Sequence, residues 1–284
     1  MVISRTVFVV LTILCITDVG YVAEVSHKNH IELINPLDRI PMNKRGKRVI
    51  HKGDPVLQEP ERVVFFDATG KAKNEIPLIN SSEKVETPRG QAERETTHTA
   101  KISESGEHVG IIERIWESMA SYDGTGEVLQ ALRTFRYYDS GGNLLWQHSA
   151  VGEQFSLSAD GNRIGLVVEE LFPLEEIAEK IGSAHSEARH SWGVVCDEKG
   201  NQVFKYDPGP NRYISYVGLS QNGKYATMDR VCIDVDNKAI HKIPYIGAGM
   251  TGIDDTGLCV VKKHIREHGA DGKQKSEILY EHKF

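Results

Sequence analysis

Phe155-Ser-Leu-Ser-Ala-Asp-Gly161-Asn-Arg-Ile-Gly-Leu166 is a polar turn set between two short apolar runs, and it recurs along the chain. Weaker copies stand at Ile102-Ser-Glu-Ser-Gly106, Leu219-Ser-Gln-Asn-Gly223 and Ile253-Asp-Asp-Thr-Gly257. A second turn alternates with it, at Phe65-Phe-Asp67-Ala-Thr-Gly70, Tyr137-Tyr-Asp139-Ser-Gly-Gly142 and Val194-Val-Cys-Asp197-Glu-Lys-Gly200. A decayed form of the second turn sits at Ile233-Asp-Val-Asp-Asn-Lys-Ala-Ile240. Each turn ends on a residue suited to a positive φ angle, with Asp, Asn or Ser capping the backbone locally. Repetition at this spacing settles the fold class before any single motif does.

The runs between turns are strands. They are short, rich in Val, Ile, Tyr and Phe, and they alternate. In Arg163–Glu169, Ile164, Leu166 and Val168 share one face, and in Thr134–Tyr138, Phe135 and Tyr137 do. One hairpin of each kind makes a four-stranded unit. The expected fold is therefore all-β, a small β-propeller-like array of about 4–5 blades. A β-sandwich or an open array is the alternative. The N-terminal hairpin at 63–78 lacks a partner before it, and only one clear strand, 277–281, follows the last turn. The two ends are therefore expected to combine and close the ring.

Ser158-Ala-Asp-Gly161-Asn-Arg-Ile164, followed by Asp-Gly hairpins, resembles the TolB-type, WD-repeat-like β-propeller repeat. The resemblance extends loosely over 62–284. It implies a scaffold of repeated hairpins. The motif makes turns and has no catalytic residue, so it transfers no functional residue to this chain.

The chain has 284 residues, a net charge of −6 and 39% hydrophobic residues, the profile of a globular protein. The acidic balance argues against nucleic acid as a partner. At the start, Arg5 precedes the apolar run Thr6–Ile16, which is too short to span a bilayer comfortably and reads as a secretory leader. Cleavage after Ala23 gives a leader at 1–23, although Tyr21 departs from the small-residue rule. The protein is then expected to be exported, periplasmic or secreted. The alternative is an uncleaved anchor, with membrane contact through the leader alone. Residues 24–61, with Pro36, Pro41, Pro55, Pro60 and the run Lys44–Arg48, read as a polar linker or arm, and 62–284 as the β domain. Beyond Cys15, the chain has Cys196, Cys232 and Cys259, so at most one disulfide forms. All three sit in apolar runs and read as buried thiols.

In a four-stranded unit both tight turns lie at one end and the longer connections at the other. The long connections here are Asn80–His98, Trp116–Ala131 and Phe172–His190, with 172–181 expected as a short helix. Loops on a rigid scaffold are where binding residues concentrate. The candidate binding residues are Trp116, His185, His190, Trp192 and Arg212. The partner they imply is a protein or small ligand, unidentified by sequence. An enzyme acting on glycan or peptide is the alternative, and it requires convergence among His98, Glu113, Glu169, His185 and His190.

The chemical motifs fail on context. His264-Ile-Arg-Glu-His268 has the spacing of an inverted zinc-protease helix, yet an apolar strand-like run precedes it and glycines follow. Gly247-Ala-Gly-Met-Thr-Gly252 has the letters of a dinucleotide fingerprint but leads into another turn, not a helix. Ser220 is one residue short of a nucleophile elbow, because Asn222 stands where glycine is needed. His98, His148, His185 and His190 have no metal-ligand spacing. No catalytic residue, metal or cofactor is assigned.

Overall fold

A computed structural model describes residues 28–34, 61–87, 90–119, 127–171, 188–209, 212–244, 250–266 and 274–284. Among them are five antiparallel sheets that follow one another in chain order. β1 (His30–Ile34), β2 (Arg62–Phe66) and β3 (Ala72–Pro77) form the first. β4 (Ser81–Thr87), β5 (Gly90–Ile102), β6 (His108–Met119), β7 (Glu127–Asp139) and β8 (Leu144–Ser149) form the second. β9 (Val151–Leu157), β10 (Arg163–Leu171), β11 (Ala188–Asp197) and β12 (Gln202–Tyr206) form the third. The fourth comprises β13 (Val217–Leu219), β14 (Tyr225–Met228), β15 (Val231–Asp234) and β16 (Ala239–Lys242). The fifth is β17 (Met250–Ile253), β18 (Leu258–Arg266) and β19 (Gln274–Lys283). The fold is the expected all-β array of hairpin units.

Strand alternation gives the inner sheets two apolar faces, and successive sheets pack face to face. Val63 and Phe65 of the first sheet meet Val109 and Ile111 of the second. Phe135 and Tyr137, on the opposite face of the second sheet, pack on Phe155, Ile164 and Leu166 of the third. Val167 and Val195 of the third meet Val217, Met228 and Ile233 of the fourth. Cys232 and Ile243 of the fourth meet Cys259 and Val261 of the fifth. Tyr137 is fully buried, and its hydroxyl donates to the Gly161 carbonyl of the next sheet. A buried phenol needs such an acceptor.

The recurrent turn has the same hydrogen bonds wherever it is well formed. In the best copy the Gly161 N–H donates to the Ser158 carbonyl at 3.0 Å, and the Arg163 N–H donates to Ser158 Oγ at 3.0 Å. The Asn162 N–H donates to Asp160 Oδ1 at 3.0 Å. These turns also stitch sheets together. The Ser105 N–H donates to the Ala159 carbonyl at 2.8 Å, and the Ala159 N–H to the Gln221 carbonyl at 2.7 Å. The Asn222 N–H completes the row by donating to Asp255 Oδ1 at 2.7 Å.

The structure departs from the expectations at several points. The stretch read as an arm contains β1, whose Ile31 is buried and pairs with Phe65. The connections at 80–98 and 116–131 contain the β4–β5 hairpin and long extensions of β6 and β7. In the β4–β5 hairpin Ser, Thr, Glu and Arg residues occupy both faces, so the apolar signature of a strand is missing there. The chain ends do not merge, since β2–β3 and β19 belong to different three-stranded sheets. All three cysteines are buried as expected, but Cys232 and Cys259 are joined by a disulfide. Burial and, secondarily, Asp197 push the remaining thiol, Cys196, up to about 11. His264 lies in β18 and Met250–Gly252 in β17, so neither motif opens a helix. The helix expected at 172–181 and residue His185 lie outside the described residues.

Candidate functional site

Both tight turns of the second and third sheets lie at one end, so the extended strands of the second sheet project from the other. Near that end β5, β6 and β7 align Thr97 with Arg114, and Arg114 with Arg133. Directly opposed residues project to the same side, so two guanidinium groups stand side by side. The repulsion is met by acids from the third sheet. Arg133 Nη1 lies 3.0 Å from Glu169 Oε2, and its Nη2 3.3 Å from Glu153 Oε1. Arg114 Nη1 lies 3.7 Å from the same Glu153 oxygen. Gly152 makes room for this arrangement, because a Cβ there would lie 2.8 Å from Val167 Cβ and 3.4 Å from Glu169 Oε1.

These residues border a cavity of about 420 Å³ between the second sheet and β9. Thr97, Thr99, Lys101, Arg114, Arg133, Glu153 and Gln154 supply its polar lining. Lys101 Nζ donates to the Phe155 carbonyl at 2.6 Å and sits 5.0 Å from the Phe155 ring centre. Burial pushes its ammonium below the usual lysine range. Arg133 is nearly sealed, with 9% of its side chain exposed, whereas Arg114 is 35% exposed. Arg114 stacks on Trp116 at 4.8 Å, so this partly exposed cation rests on an aromatic plate.

The opposite face of the second sheet has a separate polar cluster. His98 Nε2 lies 3.5 Å from Glu113 Oε2, and Arg136 Nη2 donates to Glu113 Oε1 at 3.2 Å. Burial pushes the Glu113 carboxyl up, but Arg136 and then His98 outweigh it and hold it below the usual range. Further along, Arg94 Nη2 lies 2.6 Å from the buried Glu117 carboxylate.

A third cluster gathers where β11 meets the 207–216 connection. His190 Nε2 lies 2.9 Å from Asp207 Oδ1, and its Nδ1 lies 3.0 Å from the Arg212 carbonyl oxygen. The carbonyl can only accept, so Nδ1 donates. Trp192 lies beside it at 5.6 Å between ring centres, with Lys205 Nζ over the indole at 4.3 Å. Ser191 Oγ anchors the connection by donating to the Ile214 carbonyl at 3.0 Å and accepting from its N–H at 2.7 Å.

The sequence-derived candidates thus divide. His190, Trp192 and the backbone of Arg212 come together, with the Arg212 side chain exposed. Trp116 lies apart from them on the second sheet, under the cavity residue Arg114. Of the five groups whose convergence an enzyme requires, His98 and Glu113 meet. Glu169 pairs with Arg133 and His190 with Asp207. The sequence reading missed Lys101, Arg114, Arg133 and Glu153. Their signal was polar residues at alternate positions 97, 99 and 101, which puts them on one side of a strand, with Arg114 set between Ile112 and Trp116 on the next.

No family model matches the chain, and no curated protein matches it. Among solved structures, the β-propeller domain of the Trilobed protease from Pyrococcus furiosus is similar at 13% identity and a TM-score of 0.37. The match covers 66% of this chain and 57% of that one. Kuenenia stuttgartiensis hydrazine synthase matches at 12% identity and a TM-score of 0.34, over 77% of this chain and 89% of that one. A eukaryotic initiation factor structure matches at 9% identity and a TM-score of 0.37, over 87% of this chain and 74% of that one.

Proposed function

We propose that this chain is an exported, non-enzymatic, propeller-like protein whose end opposite the tight turns binds a small anionic ligand. One observation supports this above the others: three cationic side chains, Lys101, Arg114 and Arg133, border a single cavity in a protein of net charge −6. Arg133 is committed to Glu153 and Glu169, which fixes the wall. Arg114 is partly exposed beside Glu153, its fork suited to a carboxylate or phosphate, with Thr97 and Thr99 offering hydroxyls beside it. Trp116 supports Arg114, and the Trp192–His190 cluster at the same end is a second surface for the ligand or a protein.

Calorimetry of the full chain with citrate, inorganic phosphate and a neutral hexose tests this reading. An anion should bind with an affinity that falls as salt rises, and Arg114→Gln should weaken it by about tenfold or more. Binding of hexose alone, or unaltered anion binding by Arg114→Gln, would sink it. Export rests on the 1–23 leader, and sequencing the mature N-terminus checks it: a start at 24 supports export, and an intact Met1 opposes it.

The meeting of His98 with Glu113 favours a second reading, an enzyme acting on glycan or peptide. Turnover of a glycan or peptide panel that His98→Gln abolishes would support that reading over the first.

A further inference from the structure

Where the fourth sheet packs on the fifth, four metal-ligating side chains come together. Cys232 stands directly opposite His241 on the neighbouring strand β16. Cys259 stands directly opposite His282 on β19. Opposed residues share a face, with Cβ atoms roughly 4.5–5.5 Å apart. The two pairs confront each other across the interface: the sulfurs are bonded, and the imidazole rings stack at 3.4 Å with an interplanar angle of 3°. Each sulfur therefore has a histidine beside it and the other sulfur in front of it. The cysteines are fully buried, and both histidines are half-buried, which leaves a way in from solvent.

We propose that reduction of the Cys232–Cys259 disulfide converts this quartet into a Cys₂His₂ site for one tetrahedral divalent metal ion of the Zn²⁺ class. With the sulfurs joined, no group of three or more His, Cys, Asp or Glu among the described residues is arranged to hold a metal. A dithiol reductant changes that. It delivers two electrons and two protons, the S–S bond breaks, two thiols form, and the reductant becomes a disulfide. Metal binding then displaces both thiol protons. Two thiolates balance the dication, so the buried centre is neutral, which removes the main cost of placing an ion there.

The spacing suits both states. The Cα atoms are 6.4 Å apart, within the range of a disulfide. Tetrahedral Zn–S bonds of about 2.3 Å put the sulfurs about 3.8 Å apart, which side-chain rotation reaches without moving either strand. The outer shell is present too. His241 Nε2 lies 2.6 Å from the Tyr280 hydroxyl, which fixes the ring and leaves Nδ1 for the metal. Ile243, Val261, Ile253 and Phe284 surround the group with apolar packing.

Cobalt(II) titration of the full chain tests this, before and after treatment with dithiothreitol and removal of excess reductant under argon. The reduced chain should bind one equivalent with the intense visible bands and sulfur charge-transfer band of tetrahedral thiolate coordination, and Zn²⁺ should bleach them. The oxidised chain should show neither band. Cys259→Ser should lose the spectrum. His282→Gln, at a half-buried position, should weaken binding by about tenfold or more and keeps the test open if the cysteine variant misfolds. Tyr280→Phe should weaken it about 10–100-fold through the outer shell. Reduced wild-type chain without tetrahedral bands would overturn the proposal. So would equal binding by the oxidised chain, or wild-type affinity in both His241→Gln and His282→Gln. The ligands are distinct from the cavity residues, so neither result bears on the anion reading.

Discussion

Gly161 has a φ of 79°, where a side chain is strained by about 1–2 kcal/mol. A Cβ there would also lie 2.5 Å from His108 Nδ1 and 2.8 Å from the Tyr137 hydroxyl. Conformation and close approach thus demand glycine together, and Gly161→Ala should cost about 2–4 kcal/mol in urea unfolding. The decayed turn shows the converse. Lys238 holds a φ of 55° at the position where other copies place glycine. Lys238→Gly should raise stability by about 0.5–1 kcal/mol, the strain relieved less the added chain entropy. A lower urea midpoint in that variant would refute the assignment. The need for glycine in these turns was legible from Ser158-Ala-Asp-Gly161 alone. The contact with Tyr137 was not, because it joins residues 24 positions apart in different sheets.

The strands β5, β6 and β7 show why a polar element hides in a sequence. Charged or hydroxylated residues occupy both faces of β5, and around it ion pairs across strands and sheets replace apolar burial. Glu169 and Arg133 form one such contact between sheets at 3.0 Å, with 14% and 9% of their side chains exposed. Arg133→Met strands a buried carboxylate and should cost about 3 kcal/mol, whereas Glu153→Gln at 65% exposure should cost little. Equal effects would show that burial does not govern this cluster. The hairpin turns add a pH dependence. Burial pushes the carboxyls of Asp139, Asp160 and Asp197 up, but hydrogen bonds within each turn outweigh it and hold all three below their ordinary value of 3.8. In Asp67 and Asp254 the bonds from Thr69 and Thr256 lead in lowering the carboxyl. A depressed pKa in the folded state contributes stability that is whole above the unfolded value and lost as pH falls below it. The urea midpoint should therefore drop as pH falls below about 4, and Asp139→Asn should flatten that fall. A midpoint unchanged through that window would mean the turns do not contribute.

At the scale of the molecule, each sheet packs on its chain neighbour through its own core, and among the described residues no core cluster joins the first sheet to the fifth. The alternating hairpins made that serial order readable. The failure of the ends to merge was not readable, because it depends on β1 completing the first sheet from within a proline-rich stretch. Stability in a serial array is close to a sum of units and nearest-neighbour interfaces, so opening begins at an end. The central third sheet is covered on both faces, by the second and fourth. Among the described residues the first shares a core cluster with the second alone. Native-state hydrogen exchange should therefore find β2 and β3 opening at lower denaturant than β10 and β11. The fifth sheet is also terminal, but the Cys232–Cys259 bond ties it to the fourth and restricts its separation. Before reduction β18 should exchange with the fourth sheet; after reduction under chelation it should join the early-opening group. Added Zn²⁺ should return it to the protected group if the quartet binds metal. Coincident exchange of all five sheets under every condition would instead make the chain a single cooperative unit, and its serial packing would then have no thermodynamic expression.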